Sequence, residues 1–145
     1  QRDTGCIETW TDTDYAGCRE IRNSISGGLN RLGKHVIRTW SATQRVIALS
    51  SGEAEYYGLV RGAAQGIGVR NLMRDLGIVR RLKVKTDASV AKSSAGLKGA
   101  GKIRHIEVNQ LWLQEKINKG DVEVEKLKVL TTLQTCSLSI KTTRQ

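Results

Sequence analysis

Residues 50–77, SSGEAEYYGLVRGAAQGIGVRNLMRDLG, restrict the fold more than any other stretch of this chain. Ser50 followed three residues on by Glu53 makes a capping box, so a helix is predicted to start there and to run from Gly52 to about Leu76, with Gly77 as its C-terminal stop. Tyr56, Leu59, Val60, Ala63 and Ile67 form its apolar stripe. Four glycines, Gly58, Gly62, Gly66 and Gly68, lie inside the helix and each costs about 1 kcal/mol against alanine. Such a helix is worth forming if it packs closely on a sheet, so the rest of the chain should supply strands.

Several stretches do. CIETWTDTDYAG alternates and then breaks into turn-forming residues, predicting a strand that ends at Asp12. SISGGLNRLGKHVIRTWSATQRVIALS carries two glycine-marked turns and two or three short extended pieces, with VIALS, just before the helix, as a β-branched strand. RRLKVKTDA predicts a strand ending at Asp87, SVAKSSAG a short helix or loop, and GLKGAGKIRHIE a basic connection. HIEVNQLWLQEKINKG places Ile106, Leu111, Leu113 and Ile117 at helical spacing before Gly120, and DVEVEKL alternates as a last strand. Strands, helix, strand, helices, strand is the order of an α/β layer fold with a mixed sheet.

Glu53 and Glu55 stand two apart at the head of the long helix and have different prospects. Glu53, at the third helical position, can reach back to the cap amide; Glu55 lies at the edge of the buried face and needs a partner. Asp12 and Asp87 each close a predicted strand, at the carboxyl edge where α/β sheets build sites. If those strands are neighbours and the helix crosses them, Asp12, Glu55 and Asp87 share one place, and clustered carboxylates call for hard divalent cations such as Mg²⁺ or Mn²⁺. A turn-initiating aspartate after each strand is the alternative reading, and pattern alone leaves both open.

The formal charge of +10 favours an anionic partner, nucleic acid foremost, over a merely solvated basic surface. Cys6, Cys18 and Cys136 lack metal-ligand spacing and predict reduced thiols inside a cell, and no run is apolar enough to cross a bilayer. At 145 residues the chain reads as one domain; a first residue other than Met fits a fragment of a longer product.

Taken in order, TDTDYAGC, SISGG, WSATQ, ALSSGEAEYYGL, KTDAS, RHIEVNQLWLQEK and GDVEVEKL resemble the ribonuclease H domain of copia-type (Ty1-like) LTR retrotransposon polyproteins, from about Ile7 to Leu127. The resemblance implies a ribonuclease H-like fold, a five-stranded mixed sheet flanked by helices, and Mg²⁺- or Mn²⁺-dependent endonucleolytic cleavage of the RNA strand of RNA:DNA hybrids. It puts the metal-binding catalytic acids on Asp12, Glu55 and Asp87. It implies a reverse transcriptase domain of the same polyprotein as partner and action in the cytoplasm, with virus-like particles or the nucleus as alternatives; no membrane is expected, since no run is apolar enough to span one. Lys92, Lys98, Lys102, Arg104 and His105 are the expected substrate contacts, the cations meeting phosphates and His105 a structural or backbone-contacting role; a solvated loop is the alternative for this run. Asp14 is expected to be a turn residue, and Trp10, Trp40 and Trp112 core or sheet-face residues.

The tail breaks the pattern. Family members close with a helix written roughly Asn-x-Ala-Asp-x-x-Thr-Lys that carries a fourth acid, whereas no acid follows Glu125 here. The expected division is a ribonuclease H-like domain over 1–127 and an aberrant, frameshifted tail over 128–145 in place of the final helix. Thr131 to Ile140, TTLQTCSLSI, can be encoded ACA ACC TTG CAG ACC TGT TCA CTA AGC ATT, and the frame from the third base then reads Asn-Leu-Ala-Asp-Leu-Phe-Thr-Lys-His. The shift is placed between about Glu125 and Thr131. Loss of one ligand compromises a two-metal centre, so three functions stay open: a hybrid-cleaving enzyme of reduced competence, a non-catalytic basic module that binds RNA:DNA hybrid or duplex nucleic acid, and another nuclease or integrase of the same fold class acting on DNA.

Overall fold

A computed structural model describes residues 5–18, 20–87 and 104–127, and only the backbone of 104–107, 109 and 110. Five strands, β1 (Cys6–Asp14), β2 (Ile25–Leu32), β3 (His35–Thr43), β4 (Arg81–Thr86) and β5 (Glu123–Lys126), form one sheet in the order β3-β2-β1-β4-β5. The two helices are α1 (Ser51–Asp75) and α2 (Arg104–Asn118). β1, β2 and β3 pair antiparallel, while β4 runs parallel to both β1 and β5, so the sheet is mixed. The β2–β3 turn passes through Gly33 at φ +60°, a left-handed conformation that glycine adopts without steric cost.

α1 lies against β1, β2 and β4 because its glycines let it come close. A Cβ at Gly66 would collide with Thr9 and Leu82, one at Gly62 would stand 3.0 Å from Thr11 Cβ, and one at Gly58 would collide with Thr13. Four helical residues advance about 6 Å and two strand residues about 6.7 Å, so successive glycines meet the threonines at every second residue as the helix runs back along β1. The Thr11 hydroxyl donates to the Gly58 carbonyl at 3.1 Å, joining helix and strand. Around this seam Ile7, Leu59, Ala63, Leu82, Val84, Leu113 and Val122 are almost wholly buried. Each large aliphatic among them contributes about 1.5–3 kcal/mol by leaving water. Arg70 of α1 clips the α2–β5 turn to this core, with Nη1 donating to the Asp121 carbonyl at 2.5 Å and Nη2 lying 3.1 Å from Asp121 Oδ1.

The α/β class, the mixed sheet and the long helix stand as the sequence predicts, and five local expectations do not. VIALS is a loop, with Val46, Ile47 and Leu49 exposed, because this segment must carry the chain from edge strand β3 to the start of α1. Gln44 anchors it, donating from Nε2 to Ser26 Oγ at 2.7 Å and to the Ala54 carbonyl at 2.8 Å. Gly27 and Gly28 lie within β2 and make no turn; a Cβ at Gly28 would strike the Trp40 ring. Gly68 faces open space, so close packing accounts for three of the helix glycines and leaves that one unexplained. Leu111 is 64 % exposed and Leu113 fully buried, which turns the inward face of α2 toward Leu113, Trp112 and Ile117. β1 also continues two residues past Asp12, because its ladder with β2 holds as far as Asp14.

Candidate active site

The last pair in the parallel β1–β4 ladder is Thr11 with Thr86. Asp12 and Asp87 follow immediately, one on each strand, so the register sets them side by side at the carboxyl ends of neighbouring strands, about 4.8 Å apart along the hydrogen-bonding direction. Both are exposed, and the Asp12 carboxylate accepts from the Thr13 amide at 2.8 Å. Thr9, Thr11 and Thr13 face α1, so the strand's alternation turns Asp12 to the opposite face.

Glu55 comes from the other side. Gly58 lies on Thr13, which puts the preceding turn of α1, with a half-buried Glu55, over the carboxyl end of β1. Its neighbour Glu53 turns to the helix start. Ser50 Oγ accepts from the Glu53 amide at 3.2 Å, and the Glu53 carboxylate accepts from the Leu49 amide at 2.8 Å, one residue earlier than the cap amide itself. The Tyr57 hydroxyl donates to Glu53 at 3.3 Å. Glu53 is thereby committed to local structure, and Glu55 is not.

Among the described residues no three His, Cys, Asp or Glu side chains stand close enough together to enclose a metal ion. Asp12 and Asp87 are brought together by the backbone, while the Glu55 side chain stays on the helix side. None of the three is in an ion pair with a described lysine or arginine, unlike Glu8, Glu115, Asp121, Glu123 and Glu125. Asp12, Asp87 and Glu55 are all oxygen donors without such a cation, the donor type that a hard divalent ion takes. Lys92, Lys98 and Lys102 lie outside the described residues, as does the tail from 128 onward. Arg104 and His105 begin α2. Asp14 is the last residue of β1.

One charged cluster was not singled out from the sequence. Glu8, on the same face as Asp12, accepts from Arg31 at 2.5 Å and from Lys85 at 2.6 Å, and both cations lie over the Trp10 ring at 5.2 and 5.0 Å. Burial pushes the Glu8 carboxyl up, but hydrogen bonds and charge from Lys85 and Arg31 outweigh it and hold the group below the usual carboxylate range. The signal was the alternation E-x-W-x-D in β1, which gives one face of the strand to Glu8, Trp10 and Asp12.

No family model matches the chain. Over 124 residues it is 26% identical to the Retrovirus-related Pol polyprotein from transposon TNT 1-94 of Nicotiana tabacum; the match takes in 83% of this chain but spans only 9% of that polyprotein. LC11-RNase H1, isolated from compost by a metagenomic approach, superposes with a TM-score of 0.63 at 14% identity over 92% of both chains. The same enzyme in complex with an RNA/DNA hybrid gives 0.58 at 14% identity, covering 88% of this chain and 89% of that one. Prototype foamy virus protease-reverse transcriptase gives 0.62 at 18% identity over 92% of this chain and 19% of the viral one. With the strand order and the superpositions pointing the same way, the chain has a ribonuclease H-like fold, and its sequence is similar to part of a retrotransposon Pol polyprotein.

Proposed function

We propose that this domain cleaves the RNA strand of RNA:DNA hybrids endonucleolytically, with Asp12, Glu55 and Asp87 as metal ligands. The observation that carries the reading is the register of β1 and β4, which sets Asp12 beside Asp87. When bound, Mg²⁺ or Mn²⁺ would supply a water deprotonated near neutral pH and would neutralise charge at the leaving oxygen. Asp12 and Asp87 would hold the ion at the end of the sheet, with Glu55 as the ligand supplied from the helix. Lys92, Lys98, Lys102, Arg104 and His105 meet the hybrid backbone, giving affinity without sequence choice. The reverse transcriptase domain of the same polyprotein is the proposed partner.

A second reading has its own observation. No acid follows Glu125, so the fourth ligand of the resembling family has no counterpart in the tail, and a domain so altered binds hybrid without cutting it. An end-labelled hybrid, incubated with the chain in Mg²⁺, in Mn²⁺ and in chelator, separates the two. Metal-dependent cleavage of hybrid and not of duplex DNA is the expected result. Retention of intact hybrid supports the binding module, and neither retention nor cleavage refutes both.

A further inference from the structure

We propose that the end of the sheet opposite the acids is the docking face for the polyprotein region joined ahead of this domain. The inference rests on the retrotransposon reading and concerns a different surface. α1 runs back along β1, from Gly58 over Thr13 to Gly66 over Thr9, so its last turn reaches the start of β1. Four large aliphatic side chains stand exposed there on one short stretch: Leu72 (61 %), Leu76 (70 %), Ile78 (39 %) and Val79 (77 %). Leu72 and Leu76 share one helix face, and the Ile78 amide donates to the Met73 carbonyl at 2.8 Å, which folds the following residues against the helix end.

Scattered exposed aliphatics need no explanation, whereas a contiguous group with a polar rim marks a contact surface. The rim here includes Arg74, Arg80 and Arg81, all exposed and without a described ion pair, and Asp75. The occupant that complements it is a protein surface with an apolar centre and acidic edges.

The occupant is identified by where the chain enters. Cys6, the first residue of β1, pairs with Arg81, the first of β4, so the chain enters the sheet beside the Leu76–Arg81 stretch. A tethered neighbour at that distance meets the patch at high effective concentration, and even a modest apolar contact then holds. Six residues of β1 separate Cys6 from Asp12, about 20 Å, so a domain docked here leaves the acids open to a nucleic acid.

The test compares this chain alone with the same chain joined at its amino terminus to the reverse transcriptase region of its polyprotein. Amide hydrogen exchange is followed in peptides spanning 72–81. The expected result is exchange at least tenfold slower in the joined protein, restored to the isolated rate by Leu76→Glu and separately by Val79→Glu. The isolated variants should keep the parent melting temperature and hybrid affinity. Val79, in the loop, tests the surface even if a change in the helix disturbs folding. Equal exchange in the two proteins overturns the proposal. So does slowing of the isolated chain that rises with its own concentration, which assigns the patch to a second copy, and slowing caused by added hybrid alone, which assigns it to nucleic acid. Hybrid cleavage is a separate readout, so the two proposals fail independently.

Discussion

Gly66→Ala and Gly68→Ala make the same chemical change two residues apart in one helix, and the structure gives them opposite outcomes. Either substitution gains about 0.8–1 kcal/mol of helix propensity. At Gly68 the new methyl meets nothing within 4 Å, so the gain is kept and the melting temperature rises by about 2–4 °C. At Gly66 it would lie 2.5 Å from Thr9 Oγ1 and 2.7 Å from Leu82 Cδ1. Neither neighbour can yield freely: Thr9 is fully buried and donates to Asn30 Oδ1 at 2.7 Å, and Leu82 is 2 % exposed in the core. Overpacking of this kind costs about 1–3 kcal/mol, so Gly66→Ala ends between neutral and about 2 kcal/mol less stable than the parent. The separation between the two variants should then be about 1–3 kcal/mol in urea unfolding followed by circular dichroism, with unchanged slopes. Equal stabilisation by both would refute the close approach of α1 to β1, and with it the placement of Glu55 over the strand's carboxyl end.

Three further outcomes follow from named contacts. Glu8→Gln should cost about 1–2 kcal/mol near neutral pH by leaving Arg31 and Lys85 with a neutral partner. Because the folded Glu8 carboxyl is held below its unfolded value, its contribution is full above the unfolded pKa of about 4.3 and is lost as pH falls through the folded one, so the variant should show a shallower acid limb in stability against pH. Ser50→Ala removes the acceptor of the Glu53 amide and should destabilise by about 1 kcal/mol without changing the midpoint ion dependence of any cleavage. The coding DNA should carry an Ala-Asp pair in a displaced frame across codons 133 to 135; its absence disproves the frameshift, and restoring the frame where it is present should raise Mg²⁺-dependent cleavage.

The helix and the two acid-bearing strands were legible in the sequence because they rest on local chemistry. The Ser50 and Glu53 cap, Gly77 in the left-handed region at φ +78° and the alternation of β4 are decided within a few residues of themselves. What was not legible depends on distant partners. VIALS has the composition of a strand, yet its path is set by having to join edge strand β3 to α1. Gly27 and Gly28 look like a turn until Trp40 from the next strand is laid over them. For the site, the side-by-side placement of Asp12 and Asp87 needed only the prediction that their strands are neighbours. The face on which each acid stands was hidden, because it depends on which side of β1 the glycines of α1 seek.

The central claim is that the carboxyl ends of β1 and β4 hold a divalent ion, and Mn²⁺ binding measured by electron paramagnetic resonance tests it without relying on turnover. Titration of the chain should reveal bound Mn²⁺ that Mg²⁺ displaces, weakened at least tenfold by Asp12→Asn and by Asp87→Asn and to a lesser degree by Glu55→Gln, while Glu53→Gln leaves it unchanged. Binding that is unaffected by both aspartate substitutions, or lost with Glu53→Gln instead of Glu55→Gln, would contradict the account.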